Sequence, residues 1–229
     1  MMNEVFVSET AGLAALGRAY FGHRYTILFY SLIFTAVVAP LLARTGLSTD
    51  LIELFLAINL LAAVIPVERQ GGRRLLLFIF IAALTIRVSS GWLNRETLSA
   101  ASLMLWTVVA LIAAGLALSF ALRARSVGRE QVCAALSAYL LAGIFFGSFY
   151  WTLEEIWPGT FNVQGDFSHS TAIYFSFVTL ATLGYGDIVP RTEVARGLAI
   201  VEGVGGQLFL AVFIARLVSL YSRQKEGRE

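Results

Sequence analysis

Long apolar runs separated by short polar segments set the pattern of this chain. A helix crosses roughly 30 Å of hydrocarbon with about 20 apolar residues, at about 1.5 Å of rise per residue. Six runs reach or approach that length: 25–43, 51–67, 75–88, 98–122, 132–153 and 194–221. The pattern therefore predicts six transmembrane helices, of which the third has the shortest core because Arg87 closes it.

A seventh apolar run, 170–181, lies between the fifth and sixth predicted spans. Its length of about a dozen residues suits a re-entrant helix better than a span. The predicted fold class is an all-α membrane protein with six transmembrane helices and a re-entrant helix between helices five and six. The predicted divisions are an N-terminal segment 1–24, a four-helix domain 25–122, a basic linker 123–131, a second helical domain 132–222 and a short tail 223–229.

Composition agrees with a membrane environment. The chain is 58% hydrophobic and 14% charged, with a mean hydropathy of +0.75, whereas a soluble domain needs more polar surface. A net charge of +2 is too small to indicate a nucleic-acid partner. The single cysteine, the two distant histidines and the lack of a nucleophile–base set indicate neither an enzyme nor a bound cofactor.

Basic residues in the loops orient the predicted spans. One side of the membrane, which includes the N-terminus, holds Arg18, Arg24, Arg69, Arg73, Arg74, Arg123, Arg125, Arg129, Arg223, Lys225 and Arg228. The other side holds Arg44, Arg87, Arg95, Arg191 and Arg196. Because the cytoplasmic side carries the excess of Lys and Arg, both termini are predicted to be cytoplasmic, in a multi-pass protein of the cell's inner, plasma membrane.

The segment TLGYGD, residues 182–187, follows the short seventh run directly. Non-helical backbone at membrane depth must be buried in protein or line a water-filled path. Glycines on both sides of Tyr185 permit backbone conformations closed to other residues, so that successive carbonyls can face one axis and replace the water shell of a cation. The alternative is a turn that merely joins two helices; the sequence of span, short helix, motif and span favours the ion filter.

Residues 132–222 resemble the pore module of tetrameric potassium channels, and the segment FSFVTLATLGYGDIVP, residues 175–190, is similar to the signature of prokaryotic six-transmembrane members. The resemblance implies a homotetramer with a central pore, in which potassium ions are the permeant species. It implies that Asp187 lies just outside the filter. The implied filter residues are Thr182, Leu183, Gly184, Tyr185 and Gly186. Leu183 and Ala181 stand where many members have valine and threonine, and neither change threatens potassium selectivity.

Glu202 is the least expected residue of the last span, because an ionised carboxylate in an apolar helix is costly unless it is paired or neutral. Its candidate partners lie on the short helix, at Tyr174, Ser176 and Thr179. One hypothesis is that Glu202 is protonated or hydrogen-bonded behind the filter and bears on its conducting state. The alternative is a purely structural hydrogen bond.

Two further sets of residues have both a functional and a structural interpretation. Gly205 and Gly206 lie in the middle of the last span, where the resemblance suggests a gating hinge and close packing is the alternative. Glu154, Glu155 and Asp166 lie in the outer connection, where they either raise the cation concentration at the mouth or form an ordinary solvated loop.

The fourth predicted span, 98–122, carries no charged residue. A voltage sensor needs several arginines carried through the membrane field on one helix, so strong voltage gating through this helix is not expected. The function expected from the sequence is passive, potassium-selective conduction. The alternatives are a non-conducting or regulatory subunit of a heteromeric channel and, in another class, a coupled potassium transporter.

Overall fold

A computed structural model describes residues 22–37, 78, 81, 85, 96–123, 126 and 128–226. The predicted second span, 51–67, and the predicted termini before residue 22 and after residue 226 lie outside the described residues. In the predicted third span, 75–88, three residues are described and are helical: Phe78, Ile81 and Thr85. The predicted count of six spans is therefore tested only in part, and it stays a prediction.

The described part of the chain is mostly helical. Residues 22–37 form the first described helix, α1. The further elements, in chain order, are α2 (Glu96–Arg123), α3 (Arg129–Ile156), β1 (Phe161–Val163), α4 (His169–Leu180), β2 (Ile188–Pro190) and α5 (Glu193–Glu226). Helices α2 to α5 lie where the apolar runs predict them. Within the described residues, Arg129–Ile156 and Glu193–Leu220 are long and apolar enough to cross a membrane, and Thr107–Arg123 is a shorter apolar helix.

The sequence-based all-α prediction omitted a two-stranded antiparallel sheet. In it Phe161 pairs with Pro190, Asn162 with Val189 and Val163 with Ile188. Each strand has three residues, which is too short for an alternating pattern to be visible in the sequence. The sheet joins the connection after α3 to the segment that directly follows the TLGYGD motif.

Alanines dominate the contact between α2 and α3. The buried alanines that these two helices contribute to the core are Ala110, Ala113, Ala114, Ala117, Ala121, Ala134, Ala135 and Ala138. Small side chains let two helix backbones approach closely, which is how helices associate where surrounding lipid is as apolar as the helices themselves. Helix α1 adds Tyr25, Leu28 and Leu32 to the same cluster.

Helix α1 is also bound to the start of α3 by polar contacts. The Glu130 carboxylate accepts hydrogen bonds from the backbone N–H groups of Tyr25, at 3.0 Å, and Thr26, at 3.3 Å. The guanidinium of Arg24 lies 5.0 Å from the centroid of the Phe120 ring on α2, a favourable cation–π distance. These contacts fix one end of α1 against the last turns of α2 and the beginning of α3.

A second, aromatic cluster occupies the other end of α3. Phe161 stacks on Phe167 at a centroid distance of 4.6 Å and meets Tyr150 and Phe175 edge-on at 5.4 and 5.3 Å. Ile188 of β2 is buried in the same cluster. Because this cluster contains residues of α3, α4 and both strands, it fixes both ends of the α4–motif segment relative to α3.

Candidate functional site

Helix α4 ends just before the motif. The helix begins at His169, and its N-cap residue is Ser168. The Ser168 hydroxyl accepts a hydrogen bond from the backbone N–H of Thr171 at 3.2 Å, which satisfies one free donor of the first turn. The helix ends after 12 residues at Leu180. The N–H groups of Thr182 and Leu183 then bond to the carbonyls of Thr179 and Val178, at 3.0 and 2.9 Å, so the start of the motif is bound to the last turn of the helix.

The sign of φ alternates along the backbone of the motif. Thr182 has φ +57°, Gly184 φ +57° and Gly186 φ +78°, whereas Leu183 and Tyr185 between them have negative φ. When every second residue is left-handed, successive peptide planes turn so that their carbonyls point to the same side of the strand. Glycine adopts this conformation without strain. Thr182 is the one non-glycine residue with positive φ in the described part of the chain.

The side chains of the motif are uncovered in the single chain. Leu183 is 56% exposed and Tyr185 is 65% exposed. A Cβ atom built on Gly184 or Gly186 would meet no atom within 4 Å. What requires glycine at these two positions is therefore the backbone conformation and not a lack of space within this chain.

A tyrosine–aspartate pair stands at the end of the motif. The Tyr174 hydroxyl donates to Asp187 Oδ2 at 2.8 Å. This hydrogen bond is the main cause that raises the pKa of the Tyr174 phenol, since a carboxylate acceptor disfavours loss of the proton. The pair connects α4 to the residue that follows the last glycine, so both ends of the 182–186 segment are bound to the same helix.

Glu202 is buried behind α4, with 1% of its surface exposed. Tyr150 of α3 donates its hydroxyl to Glu202 Oε2 at 2.7 Å, and Ser176 of α4 contacts Oε1. Of the three partners predicted on the short helix, Ser176 is the one that bonds Glu202. Tyr174 bonds Asp187 instead, and the backbone carbonyl of Thr179 accepts from Thr182. Tyr150 was missed, because its distance of 52 residues from Glu202 leaves no signal in the sequence.

The two glycines of α5 differ in their surroundings. A Cβ on Gly206 would lie 2.7 Å from Leu180 Cδ1 and 3.0 Å from the Leu180 carbonyl oxygen, whereas a Cβ on Gly205 would meet nothing within 4 Å. Gly206 therefore packs against the end of α4, as the close-packing alternative requires. Helix α5 runs through both residues without interruption, and the hinge hypothesis stays a prediction.

Two glycines of α3 also matter for the position of α4 and were not singled out in the sequence. A Cβ on Gly147 would lie 2.6 Å from Ile173 Cα, and one on Gly143 would lie 2.6 Å from the Phe177 ring. Both glycines are buried. Their spacing of four residues places them on one face of α3, which lets the backbone of α4 lie directly against that face.

The three acidic residues predicted at the outer mouth have different environments. The Glu154 carboxylate accepts hydrogen bonds from the backbone N–H groups of Gly159, at 2.7 Å, and Phe161, at 2.9 Å. Glu155 and Asp166 are exposed. Glu154 thus folds the turn before β1, while the role of all three charges at the mouth stays a prediction.

Comparison with known proteins finds a family that matches the region around this site. Residues 135–223 match a family model described as "Ion channel". This region contains most of α3, the motif and most of α5, and the matched family is one of channels and not of enzymes. The predicted resemblance to the potassium channel family is confirmed over this region.

Several curated proteins are similar to the same region. Two pore potassium channel a of Oryza sativa subsp. japonica is 32% identical over 91 residues, which cover 40% of this chain and 24% of that protein. Two-pore potassium channel 4 of Arabidopsis thaliana is 50% identical over 48 residues, 21% of this chain and 17% of that protein. Probable potassium channel protein 2 of Methanocaldococcus jannaschii is 43% identical over 51 residues, 21% of this chain and 15% of that protein.

The chain thus spans about a quarter or less of the length of these relatives. No solved structure matches the chain.

Proposed function

We propose that this chain is a subunit of a potassium-selective channel, which conducts potassium passively through a filter formed by residues 182–186. The observation that carries the proposal is the alternating sign of φ along the motif, which is positive at Thr182, Gly184 and Gly186 and negative at the residues between them. In our proposal this backbone places successive carbonyl oxygens on one side of the segment, where they replace the water shell of a dehydrated potassium ion. In our proposal the Thr182 hydroxyl adds a further ring of oxygens at the inner end, and no cofactor takes part.

A single row of carbonyls surrounds an ion on one side only, so the proposed pore needs several copies of the chain. The resemblance to tetrameric potassium channels implies four copies, and the proposed pore is therefore a homotetramer. The exposed side chains of Leu183 and Tyr185 support this assembly, because more than half of each is left uncovered by its own chain and further copies could cover it. The lipid bilayer and three further copies of the chain are the proposed partners. The proposed location is the plasma membrane, with both termini cytoplasmic.

The end of α4 faces the proposed central cavity. A helix carries partial negative charge at its carboxyl end, where the last carbonyls lack partners within the helix. Here Leu180, the last residue of α4, accepts a hydrogen bond from the Tyr139 hydroxyl at 3.1 Å. We propose that this contact orients the end of α4, whose negative potential favours a cation in the cavity.

Strong voltage gating is not part of the proposed function. The fourth apolar run, 98–122, has no arginine or lysine to carry charge through the membrane field. Arg123 is the last residue of α2 and lies beyond this run.

Ion flux into liposomes that hold the purified protein tests the proposal. Potassium uptake well above that of protein-free liposomes, with little sodium uptake, is the expected result. Equal uptake of both ions would refute selectivity, and no uptake of either would favour the alternative of a non-conducting or regulatory subunit. Detergent-corrected mass tests the assembly separately, since a homotetramer requires four times the chain mass of 25.0 kDa.

A further inference from the structure

Four groups form a continuous chain of polar contacts behind the motif. The Tyr150 hydroxyl lies 2.7 Å from Glu202 Oε2, Glu202 Oε1 contacts Ser176 Oγ, and Ser176 Oγ lies 2.7 Å from the carbonyl oxygen of Gly143. These contacts link α3 to α5, α5 to α4, and α4 back to α3. Tyr150, Ser176 and Glu202 are each less than 2% exposed, so bulk solvent does not reach these contacts.

The number of protons in this chain of contacts is limited. A serine hydroxyl has one proton, and a backbone carbonyl has none. The contact between Ser176 and Gly143 therefore uses the serine proton. With an ionised Glu202, the contact between Ser176 and Oε1 would then join two acceptors. A proton on Glu202 Oε1 removes this conflict, because each of the three contacts then holds one proton.

The charge environment agrees with this count. Glu202 lies in the apolar helix Glu193–Leu220, where an unpaired charge is costly. Among the described residues, the hydrogen-bond partners of Glu202 are the neutral hydroxyls of Tyr150 and Ser176. Arg196, on the same helix, forms its ion pair with the exposed Glu193 instead. Within the part of the chain that the structure describes, the titratable groups that interact with Glu202 electrostatically include Tyr139 and Tyr150, both on α3.

We propose that Glu202 is a neutral carboxylic acid that donates its proton to Ser176, while Tyr150 donates to its other oxygen. Ser176 in turn donates to the Gly143 carbonyl. Glu202 thereby acts as a positioning residue that holds α4 between α3 and α5. The consequence of this positioning for conduction rests on the proposed function, since the proposed filter directly follows α4. The protonation of Glu202 does not rest on the proposed function.

Infrared spectroscopy of the purified protein at neutral pH tests the protonation. A neutral carboxylic acid has a carbonyl stretch that a carboxylate lacks. We expect this band in the wild-type protein and its loss in Glu202→Gln. Glu193→Gln is the matched control, because Glu193 lies on the same helix with its side chain 88% exposed, and it should leave the band in place. Identical wild-type and Glu202→Gln spectra in this region would overturn the proposal.

Tyr150→Phe provides a second test, which decides the question even if Glu202→Gln does not fold. It removes the hydrogen bond to the carbonyl oxygen of the acid, Oε2, and keeps the ring. We expect the acid band to shift to higher frequency, because a carbonyl freed from a hydrogen bond has a stiffer bond. A band that does not move would contradict the assignment to Glu202.

Potassium flux tests the positioning role. In Glu202→Gln the amide oxygen accepts from Tyr150 and the amide N–H donates to Ser176, so flux and selectivity against sodium should be retained. Glu202→Leu loses both contacts and should lose selectivity or flux. Wild-type behaviour of Glu202→Leu, or equal loss in both variants, would refute this role. A wild-type protein that conducts no potassium would refute the proposed function instead, and the infrared result would still decide the protonation.

Discussion

Replacement of Gly184 by alanine is the most direct test of the filter backbone. Gly184 has φ +57°, and the left-handed conformation costs an L-residue with a Cβ roughly 1–2 kcal/mol. A Cβ there meets no atom within 4 Å in the single chain, so the cost comes from the backbone conformation rather than from a clash. The substitution therefore penalises the alternating backbone while it leaves the surrounding packing in place.

The assembly multiplies this cost. In the proposed tetramer four copies of residue 184 form one ring, and a conducting filter needs all four to be left-handed. The penalty is then about 4–8 kcal/mol, and about 1.4 kcal/mol corresponds to a factor of ten. Even the lower value decreases the fraction of filters in the conducting conformation by about a thousandfold if wild-type conducting and collapsed filters are comparably stable.

The assay is potassium flux in liposomes, with assembly checked by mass. Gly159→Ala is the matched control for strain, because Gly159 has φ +87° and open space around it but lies in the turn before β1. Gly197→Ala controls for the added methyl group, since Gly197 is helical and also open. Both controls should conduct. Undiminished potassium flux through an assembled Gly184→Ala channel would refute the argument that the left-handed backbone creates the filter.

Three other comparisons follow from the structure. Gly206→Ala should lower the free energy of unfolding by about 1–3 kcal/mol, because its Cβ overlaps the last residue of α4. Gly205→Ala should leave the free energy of unfolding unchanged or raise it by up to about 1 kcal/mol through helix propensity. A lower melting temperature for Gly205→Ala than for Gly206→Ala would contradict the packing. Tyr174→Phe should remove one source of alkaline sensitivity. Because the pKa of the Tyr174 phenol is raised, its hydrogen bond to Asp187 stabilises the protein fully below the ordinary tyrosine pKa of about 10, and this stabilisation is lost as the pH rises through the higher folded value. Equal alkaline sensitivity of the two proteins would count against the bond. Glu154→Gln should lower stability by about 1 kcal/mol relative to Glu155→Gln, because one amide oxygen replaces two carboxylate acceptors, and equal melting temperatures would show that the turn does not depend on Glu154.

Much of the helical framework could be predicted from the sequence. The apolar runs 98–122, 132–153, 170–181 and 194–221 place α2 to α5 to within a few residues, because the length and composition of a helix are local properties of the chain. The region of the proposed filter could also be predicted from the sequence, since a tyrosine with one glycine on each side, directly after a short helix, is a local pattern. Its alternating φ values are the structural expression of that pattern.

What the tertiary structure decided are contacts between residues far apart in the chain. The partner of Glu202 on α3, Tyr150, is 52 residues away, and Glu154 turned out to bond backbone N–H groups of the turn before β1. The strands β1 and β2 are three residues long, and they pair because the aromatic cluster brings the two segments together. Sequence alone indicated that Glu202 needs a partner, because an apolar span does not tolerate an unpaired charge. Which groups satisfy it depends on how α3, α4 and α5 pack, since Gly143, Gly147 and Gly206 let their backbones approach.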